Sequence, residues 1–90
     1  MQPAYTLKII TPRGIEYEAE VVHTRLPEER GLVGVLAHHA PYLTSSPGGR
    51  VDLLLKNGQE KQLRIGPGFF EMVRNQATFL VQSAEPDQGN

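Results

Sequence analysis

Glycine and proline set the strongest constraint on how this chain folds. The 90 residues include nine glycines and seven prolines, and only two stretches of more than ten residues, 15–26 and 69–85, lack both. Because both residue types interrupt regular structure, a helix bundle is hard to build from such short pieces. Short strands joined by tight turns fit the spacing well, so it favours an all-β fold.

The size and composition of the chain indicate one small folded domain. A chain of 10.0 kDa with 39% apolar and 21% charged residues fits a globular protein better than a disordered one. We predict a domain over residues 1–85 and a disordered polar tail over 86–90. No apolar run is long enough to span a bilayer, and the N-terminus lacks the features of a secretory signal, so we expect a cytoplasmic protein.

Charge and cysteine content exclude several kinds of function. Nine lysines and arginines balance ten aspartates and glutamates, which leaves a net charge of −1. Nucleic-acid binding needs a clustered basic excess, so we expect no nucleic-acid partner. The chain has no cysteine, which removes disulfides, thiolate metal sites and cysteine nucleophiles.

The segment 15–21 gives the clearest strand signal, because apolar and acidic residues alternate strictly in it. Such alternation predicts a strand with one solvated face and one inward face. The solvated face would carry Glu16, Glu18 and Glu20. The inward face would carry Ile15, Tyr17, Ala19 and Val21. Beyond Val21 the phase shifts to Val22, Thr24 and Leu26, which predicts a bulge or bend near residues 21–22.

Turn signals join further strands. The sequence 12–14 (Pro-Arg-Gly) would return the chain from a first strand, 5–11, and Asn57-Gly58 predicts a second hairpin. The stretch 69–85 fits either a helical stripe or two strands around Arg74-Asn75-Gln76, and periodicity alone leaves both open. The strand signals add up to eight to ten short strands and no firm helix, which predicts a sandwich of two antiparallel sheets or a small barrel.

Candidate catalytic and metal-binding residues are few. The histidines His23, His38 and His39 suggest a metal or small-ligand site, but adjacent side chains of an extended chain point to opposite faces and no further ligand completes a set. The serines Ser45 and Ser46 lack a nucleophile elbow, and the glycines near residue 66 lack the lysine of a phosphate-binding loop. We expect no enzyme activity, no cofactor and no metal.

The segment 29–44 is too apolar for an ordinary loop. Its large apolar side chains cannot all enter one thin core, which leaves a partner-binding surface and a bent pair of core strands as equal alternatives. Those side chains are Leu32, Val33, Val35, Leu36, Tyr42 and Leu43.

This segment resembles the N-terminal domain of the epsilon-subunit family of rotary F-type ATP synthases. The family pattern is Gly-x-Φ-Gly-Φ-x-Pro-Gly-His-Ala-Pro-Φ-Leu-Thr, where Φ is apolar. The chain has Gly31-Leu32-Val33-Gly34-Val35-Leu36-Ala37-His38-His39-Ala40-Pro41-Tyr42-Leu43-Thr44. Further similarity lies in the opening 7–12, in Pro47-Gly48 and in the run 66–81, so the resemblance covers residues 5–85 in register.

The resemblance implies a sandwich of two five-stranded sheets, with 69–85 forming a hairpin. It also implies a non-catalytic rotor subunit, one copy per complex and monomeric when isolated, on the cytoplasmic side of the bacterial inner membrane. Its partners would be the gamma subunit and the polar loops of the c-ring. The implied c-ring contacts are Glu29, Arg30, Gly31 and Leu32. The implied gamma contacts are His39, Ala40, Pro41 and Leu43.

The chain departs from the family pattern at three places. Ala37-His38 replaces the usual Pro-Gly, and Pro67 stands where a second glycine is usual. Family members commonly continue into a C-terminal helical hairpin that carries inhibition of ATP hydrolysis and, in some, nucleotide binding. The sequence stops at Asn90, so we expect neither property from these 90 residues. The competing hypothesis is a free-standing sandwich that binds a ligand or metal through the three histidines.

Overall fold

Strands account for most of the structure, and nearly all of them pair in the antiparallel direction. The computed structural model describes residues 2–87, and that part contains nine strands and no helix. The strands are β1 (Tyr5–Thr11), β2 (Gly14–Glu28), β3 (Gly31–Leu36), β4 (Tyr42–Ser46), β5 (Gly49–Leu55), β6 (Glu60–Ile65), β7 (Gly68–Val73), β8 (Gln76–Val81) and β9 (Ala84–Pro86). The predicted all-β fold class and strand number are therefore confirmed.

The strands form two layers that share β2. The first layer runs β4-β7-β8-β1 and ends on the N-terminal half of β2, which pairs with β1. In the second layer the C-terminal half of β2 lies between β3 and β5, and β6 and β9 follow. Every pair is antiparallel except β1–β8, which is parallel. Each layer thus has five strands, as in a sandwich.

A bulge lets β2 pass from one layer to the other. The pairing register with β5 shifts between Val21 and His23, and the two consecutive residues Val21 and Val22 are both buried. Because neighbouring side chains of a regular strand point to opposite faces, two buried neighbours require such an irregularity. The predicted bulge is confirmed, and Thr24 and Leu26 continue the inward set as expected.

A second bulge corrects one prediction. The alternation placed Ile15 inside with Tyr17, but Ile15 is 58% exposed. Ile9 pairs with Tyr17 while the next residue, Ile10, pairs with Ile15, so one residue of β2 is skipped. This skip reverses the side on which Ile15 lies, and it joins the outward face of the first layer. The skipped residue is Glu16, which is polar like its neighbours on the solvated face. The pattern of apolar and acidic residues therefore stays regular through the bulge and does not reveal it.

One apolar core fills the space between the layers. Phe70 and Phe79 pack with ring centroids 4.8 Å apart, and Leu7 lies beside them without solvent exposure. The second layer contributes residues such as Leu26 and Leu53. Core packing of both layers against each other makes the sandwich one rigid unit, because protein interiors are close-packed.

The stretch 69–85 forms a hairpin and not a helix. The turn between β7 and β8 has Arg74 and Asn75 at φ values of 51° and 62°, the signature of a type I′ turn. Residues 84–86 then form β9 on the edge of β6, so the strand extends one residue past the predicted domain end at residue 85. Of the predicted tail, residues 88–90 lie outside the described residues.

Candidate functional site

The turn between β2 and β3 and the first two residues of β3 lie at one end of the sandwich; we call Glu29, Arg30, Gly31 and Leu32 the tip. The Glu28 carboxylate accepts a hydrogen bond from the Arg30 backbone N–H at 2.9 Å, which fixes the turn. Gly31 adopts φ 134°, a value that side chains disfavour. The Leu32 side chain is 63% exposed.

The charged side chains of the tip are available to a partner. Within residues 2–87, Glu29 and Arg30 make no side-chain hydrogen bond or ion pair. A free guanidinium presents five donors in a planar fork that suits carboxylates and carbonyl groups. The tip therefore combines an apolar anchor with directed donors, which is the usual make-up of a protein interface.

Residues 37–41, which we call the loop, connect β3 to β4 and are fastened to the first layer. The His38 N–H donates to Asn75 Oδ1 at 2.7 Å, and Asn75 Nδ2 donates to the Ala4 carbonyl at 3.1 Å. The His39 N–H donates to the Leu36 carbonyl at 3.3 Å. The centroid of the His39 ring lies 5.6 Å from the centroid of the Tyr42 ring. These contacts hold an exposed segment in one conformation.

His38 occupies a backbone conformation that glycine prefers. Its φ is 63°, in the left-handed region where a Cβ atom is unfavourable. The family pattern has glycine at this position, so the turn keeps the left-handed geometry despite the substitution. The hydrogen bond to Asn75 compensates the strain in part, because it uses the backbone and is independent of the side chain.

The outward face of the first layer, which we call the outer face, carries a row of apolar side chains beside a row that contains Leu43, Glu71 and Lys8. One transverse row joins Ser45, Phe69, Leu80, Ile10 and Ile15 across five strands. Leu43 lies on the same side of β4, opposite Glu71. The exposed fractions are 69% for Leu43, 56% for Phe69, 52% for Leu80 and 58% for Ile15. Single exposed apolar residues are ordinary, but a contiguous group marks an interaction surface.

Sequence reasoning identified Leu43 on this face but missed Phe69 and Leu80. A signal was available, because Phe69 stands next to Phe70, and Leu80 stands between Phe79 and Val81. On a strand, adjacent side chains point to opposite faces, so runs of large apolar residues must place some of them outside. Exposure also decides between the two alternatives for Leu32 and Leu43: neither side chain belongs to the core.

The predicted site residues fall into two groups that the fold keeps apart. The tip comprises the turn before β3 and the first two residues of β3, and the loop follows the last residue of β3, so the two groups lie at opposite ends of one strand. At about 3.3 Å per residue, the four steps from Leu32 to Leu36 span roughly 13 Å. His39, Ala40, Pro41 and Leu43 are all exposed.

The histidines do not assemble a metal site. His23 lies on β2 and its ring covers Gly34, whose added Cβ would come within 2.9 Å of Nε2. In the part of the chain that the structure describes, no three histidine, aspartate or glutamate side chains are grouped to hold an ion. The depression of about 280 Å³ beside His23 is lined by Arg25 and Asp52, which pair with each other at 3.0 Å.

A buried tyrosine of β1, in the first layer, forms hydrogen bonds to β2 and β3 of the second layer. The Tyr5 hydroxyl donates to the Val35 carbonyl at 2.7 Å and accepts from the Thr24 hydroxyl at 2.7 Å. Burial raises the pKa of Tyr5 to about 12, an effect that the bond to Thr24 partly opposes. Since β3 separates the tip from the loop, this contact helps to fix their relative positions.

The structure contains no helix, within residues 2–87, with the length and apolar character that a membrane span requires. Residues 4–87 match the model of the ATP synthase Delta/Epsilon chain beta-sandwich domain. This match covers the fold elements, the tip, the loop and the outer face.

Named relatives agree with that match. The ATP synthase epsilon chain of Nitratiruptor is 35% identical over 92% of this chain and 64% of its own length. The chloroplastic epsilon chain of Cyanidioschyzon merolae is 39% identical over 88% of this chain and 60% of its length. The epsilon chain of Chlorobaculum tepidum is 37% identical over 88% of this chain and 90% of its length. The chain thus spans less than two thirds of the length of the first two relatives.

Solved structures show the same fold. A chain of the Euglena gracilis mitochondrial ATP synthase OSCP/F1/c-ring structure superposes with a TM-score of 0.85 at 20% identity, over 96% of this chain and 56% of that one. A chain of the Tetrahymena thermophila mitochondrial ATP synthase central stalk/c-ring gives 0.75 at 14% identity, over 99% and 78%. The epsilon chain is a structural and regulatory subunit and is not itself catalytic. The match over residues 4–87, together with these relatives, shows that the chain belongs to the ATP synthase Delta/Epsilon chain beta-sandwich domain family.

Proposed function

We propose that the chain is a central-stalk subunit of an F-type ATP synthase that links the gamma subunit to the c-ring and so couples ion flow to ATP synthesis. It acts without a cofactor, as a monomer when isolated and as one copy per complex. It lies peripherally on the cytoplasmic side of the bacterial inner membrane. The observation that carries the proposal is the placement of two exposed contact segments at opposite ends of β3.

This placement lets one rigid body contact two partners at once. The tip and the loop are separated by the length of a paired strand, so a partner on one leaves the other free. The sandwich measures 32 × 28 × 26 Å, which is large enough for separate interfaces on different ends. A subunit that joins two rotor parts needs this arrangement, because contacts on a single patch would compete.

The tip is the proposed c-ring contact. Arg30 offers unpaired donors to polar or acidic loops, and charge-assisted hydrogen bonds from a guanidinium are directional. Leu32 offers an apolar side chain that is 63% exposed and gains free energy when a partner covers it. The positive φ of Gly31 and the bond from the Arg30 N–H to the Glu28 carboxylate shape the turn that presents both, and Glu29 adds an exposed carboxylate.

The loop and the outer face form the proposed gamma contact. His39, Ala40 and Pro41 lead directly into Leu43, and Leu43 shares its side of the first layer with Phe69. Apolar side chains that are more than half exposed on one face indicate an interface of ordinary apolar composition. Since the sandwich is close-packed behind this face, torque is transmitted through the fit of the surfaces and no covalent chemistry is needed.

Two substitutions that introduce a negative charge test the two proposed interfaces independently. We expect Leu32→Asp to weaken binding to the c-ring at least tenfold and to leave gamma binding unchanged, because burying a leucine side chain contributes about 1.5–3 kcal/mol. Leu43→Asp should have the opposite effect. Pull-down of the purified chain with gamma and with the c-ring, each assayed alone, measures both.

Asn57→Asp is the matched control, because it adds the same charge at an exposed turn outside both surfaces. All three variants should melt within a few degrees of the parent, since exposed substitutions rarely change stability much. Retention of both partners by both leucine variants would contradict the proposal. Failure of the parent chain to bind gamma would contradict it more directly.

A further inference from the structure

One side chain joins the loop to two distant segments of the chain. Asn75, in the turn between β7 and β8, accepts a hydrogen bond from the His38 N–H through Oδ1 at 2.7 Å, and its Nδ2 donates to the Ala4 carbonyl at 3.1 Å. We call these two hydrogen bonds the tie. His38 lies 37 positions before Asn75 and Ala4 lies 71 positions before it, so a single carboxamide connects the loop, the turn and the segment that leads into β1.

The chemistry of the two partners fixes the orientation of this carboxamide. The His38 N–H can only donate and the Ala4 carbonyl can only accept, so Oδ1 must face the first and Nδ2 the second. The reversed orientation would set an N–H against an N–H and a carbonyl against a carbonyl. The Asn75 side chain is also half-buried, whereas its neighbours Arg74 and Gln76 are exposed. Asn75 is therefore turned toward the sandwich, with both ends of its amide in use.

The other hydrogen bonds of the loop are local. The His39 N–H reaches back to the Leu36 carbonyl at 3.3 Å, and His39 Nδ1 lies 2.8 Å from the carbonyl of the next residue, Ala40. Neither bond fixes the loop relative to the rest of the sandwich. Within residues 2–87, the bond from His38 to Asn75 is the one that does so, and its 2.7 Å length is at the short end of the usual range.

The backbone conformation of His38 is the reason that the loop needs the tie. A residue with a Cβ atom loses free energy at a φ of 63°, so an untied His38 is drawn toward negative φ. The φ torsion is a rotation about the N–Cα bond, and a change in it redirects the chain that follows. Because Asn75 holds the N–H of the same residue, the tie opposes this rotation and fixes the direction of residues 39–41.

We propose that Asn75 is a positioning residue for partner binding: its carboxamide holds His38 in the left-handed conformation and so presents residues 39–41 in the arrangement that the partner binds. This inference rests on the proposed function, which takes gamma as the partner of the loop. Asn75 acts through His38 and not by contact with gamma. A loop that is ordered before binding loses less conformational entropy on association, so the tie raises the affinity.

Three substitutions in the turn test this role. Asn75→Gly removes both hydrogen bonds of the tie, and glycine accepts the positive φ of the turn without strain. Arg74→Gly is the matched control, because it makes the same replacement at the other positive-φ position of the turn. The Arg74 side chain makes no hydrogen bond or ion pair within residues 2–87. Asn75→Asp is the conservative variant, since its carboxylate still accepts from the His38 N–H but cannot donate to Ala4.

Two measurements compare these variants at a temperature where all of them are folded. Amide hydrogen exchange of the isolated chain, followed by NMR, should show the His38 N–H exchanging roughly fivefold faster or more in Asn75→Gly and unchanged in Arg74→Gly. Quantitative pull-down should show gamma binding weakened roughly three- to tenfold in Asn75→Gly, the cost of one hydrogen bond, with c-ring binding unchanged. Asn75→Asp should keep the protection of the His38 N–H and most of the affinity for gamma.

Each outcome decides the inference. Faster His38 exchange together with a selective loss of gamma binding, in Asn75→Gly alone, supports it. Unchanged exchange overturns it, and so does unchanged gamma binding in Asn75→Gly when Leu43→Asp loses gamma, which leaves the proposed function standing. An equal loss of gamma binding in Arg74→Gly shows that the turn itself contacts gamma, and an equal loss in Asn75→Asp assigns the effect to Ala4; both overturn the inference. No gamma binding by the unmodified chain overturns the inference and the proposed function together.

Discussion

Replacing Tyr5 with phenylalanine removes one oxygen atom from the interior and tests what holds β3 to the first layer. Tyr5 is 2% exposed and Thr24 is 0% exposed, so water cannot replace the lost hydroxyl without a rearrangement. The substitution leaves the Val35 carbonyl without its donor and the Thr24 hydroxyl without its acceptor. The aromatic ring and its packing remain.

The expected loss follows from two unmade hydrogen bonds. Each contributes about 1 kcal/mol net, and a buried group left unpaired costs about 1–3 kcal/mol. We expect Tyr5→Phe to lower the free energy of unfolding by about 2–4 kcal/mol. A domain of this size has a total of about 5–13 kcal/mol, so the melting temperature should fall by roughly 10–25 °C.

Urea unfolding followed by circular dichroism measures this loss in a double-mutant cycle. Thr24→Val removes the other partner, and the double variant should lose less than the sum of the two single variants because both act on one contact. Tyr17→Phe is the control, since its hydroxyl makes no hydrogen bond within the described chain. A loss below about 0.5 kcal/mol for Tyr5→Phe, with additive effects in the cycle, would refute the role given to this tyrosine.

Alkaline unfolding gives an independent check of the same contact. The pKa of Tyr5 is raised from 10.0 to about 12 in the folded chain, so folding favours the neutral phenol. The corresponding stability is fully present below pH 10 and is lost as pH rises through about 12. The parent chain should therefore lose more stability than Tyr5→Phe between these pH values. Equal loss in both chains would show that Tyr5 does not cause it.

Three backbone predictions follow from the glycine contacts and the strained turn. Gly68→Ala should cost at least about 3 kcal/mol, since the new Cβ would clash with the backbone of Leu80 and Val81, and denaturant titration measures the loss. Gly34→Ala should cost under about 1 kcal/mol, because it meets only the movable His23 ring; a larger loss would mean that this ring is fixed. His38→Gly should raise stability by about 0.5–1 kcal/mol by relieving its positive φ, and a lower melting temperature in calorimetry would contradict this.

Local chemistry allowed most strands to be predicted. The alternation of acidic and apolar residues marked the first half of β2, and its change of phase marked the bulge at residues 21–22. The turn at Asn57-Gly58 was also predicted, although only Gly58 has a positive φ there. The type I′ geometry instead occurs at Arg74-Asn75, where propensity for it is weaker.

The candidate site was predictable in part. The apolar excess of residues 29–44 left a partner-binding surface and a pair of core strands as equal alternatives, and the family resemblance favoured the surface and divided it into tip and loop. Exposure of Leu32 and Leu43 was not predictable, because a leucine on a strand is equally compatible with either face until the register is known. The outer-face residues Phe69 and Leu80 were missed for the same reason.

The sequence by itself determined an all-strand chain, since glycine and proline punctuation, turn residues and two-residue periodicity act over short distances. Only the tertiary structure decided the faces and the partners of those strands. The parallel pairing of β1 with β8, the inversion of Ile15 by a bulge and the position of β4 at the end of the first layer depend on residues far apart in the chain. Such contacts are set by how two layers close over one core, and no local pattern contains that information.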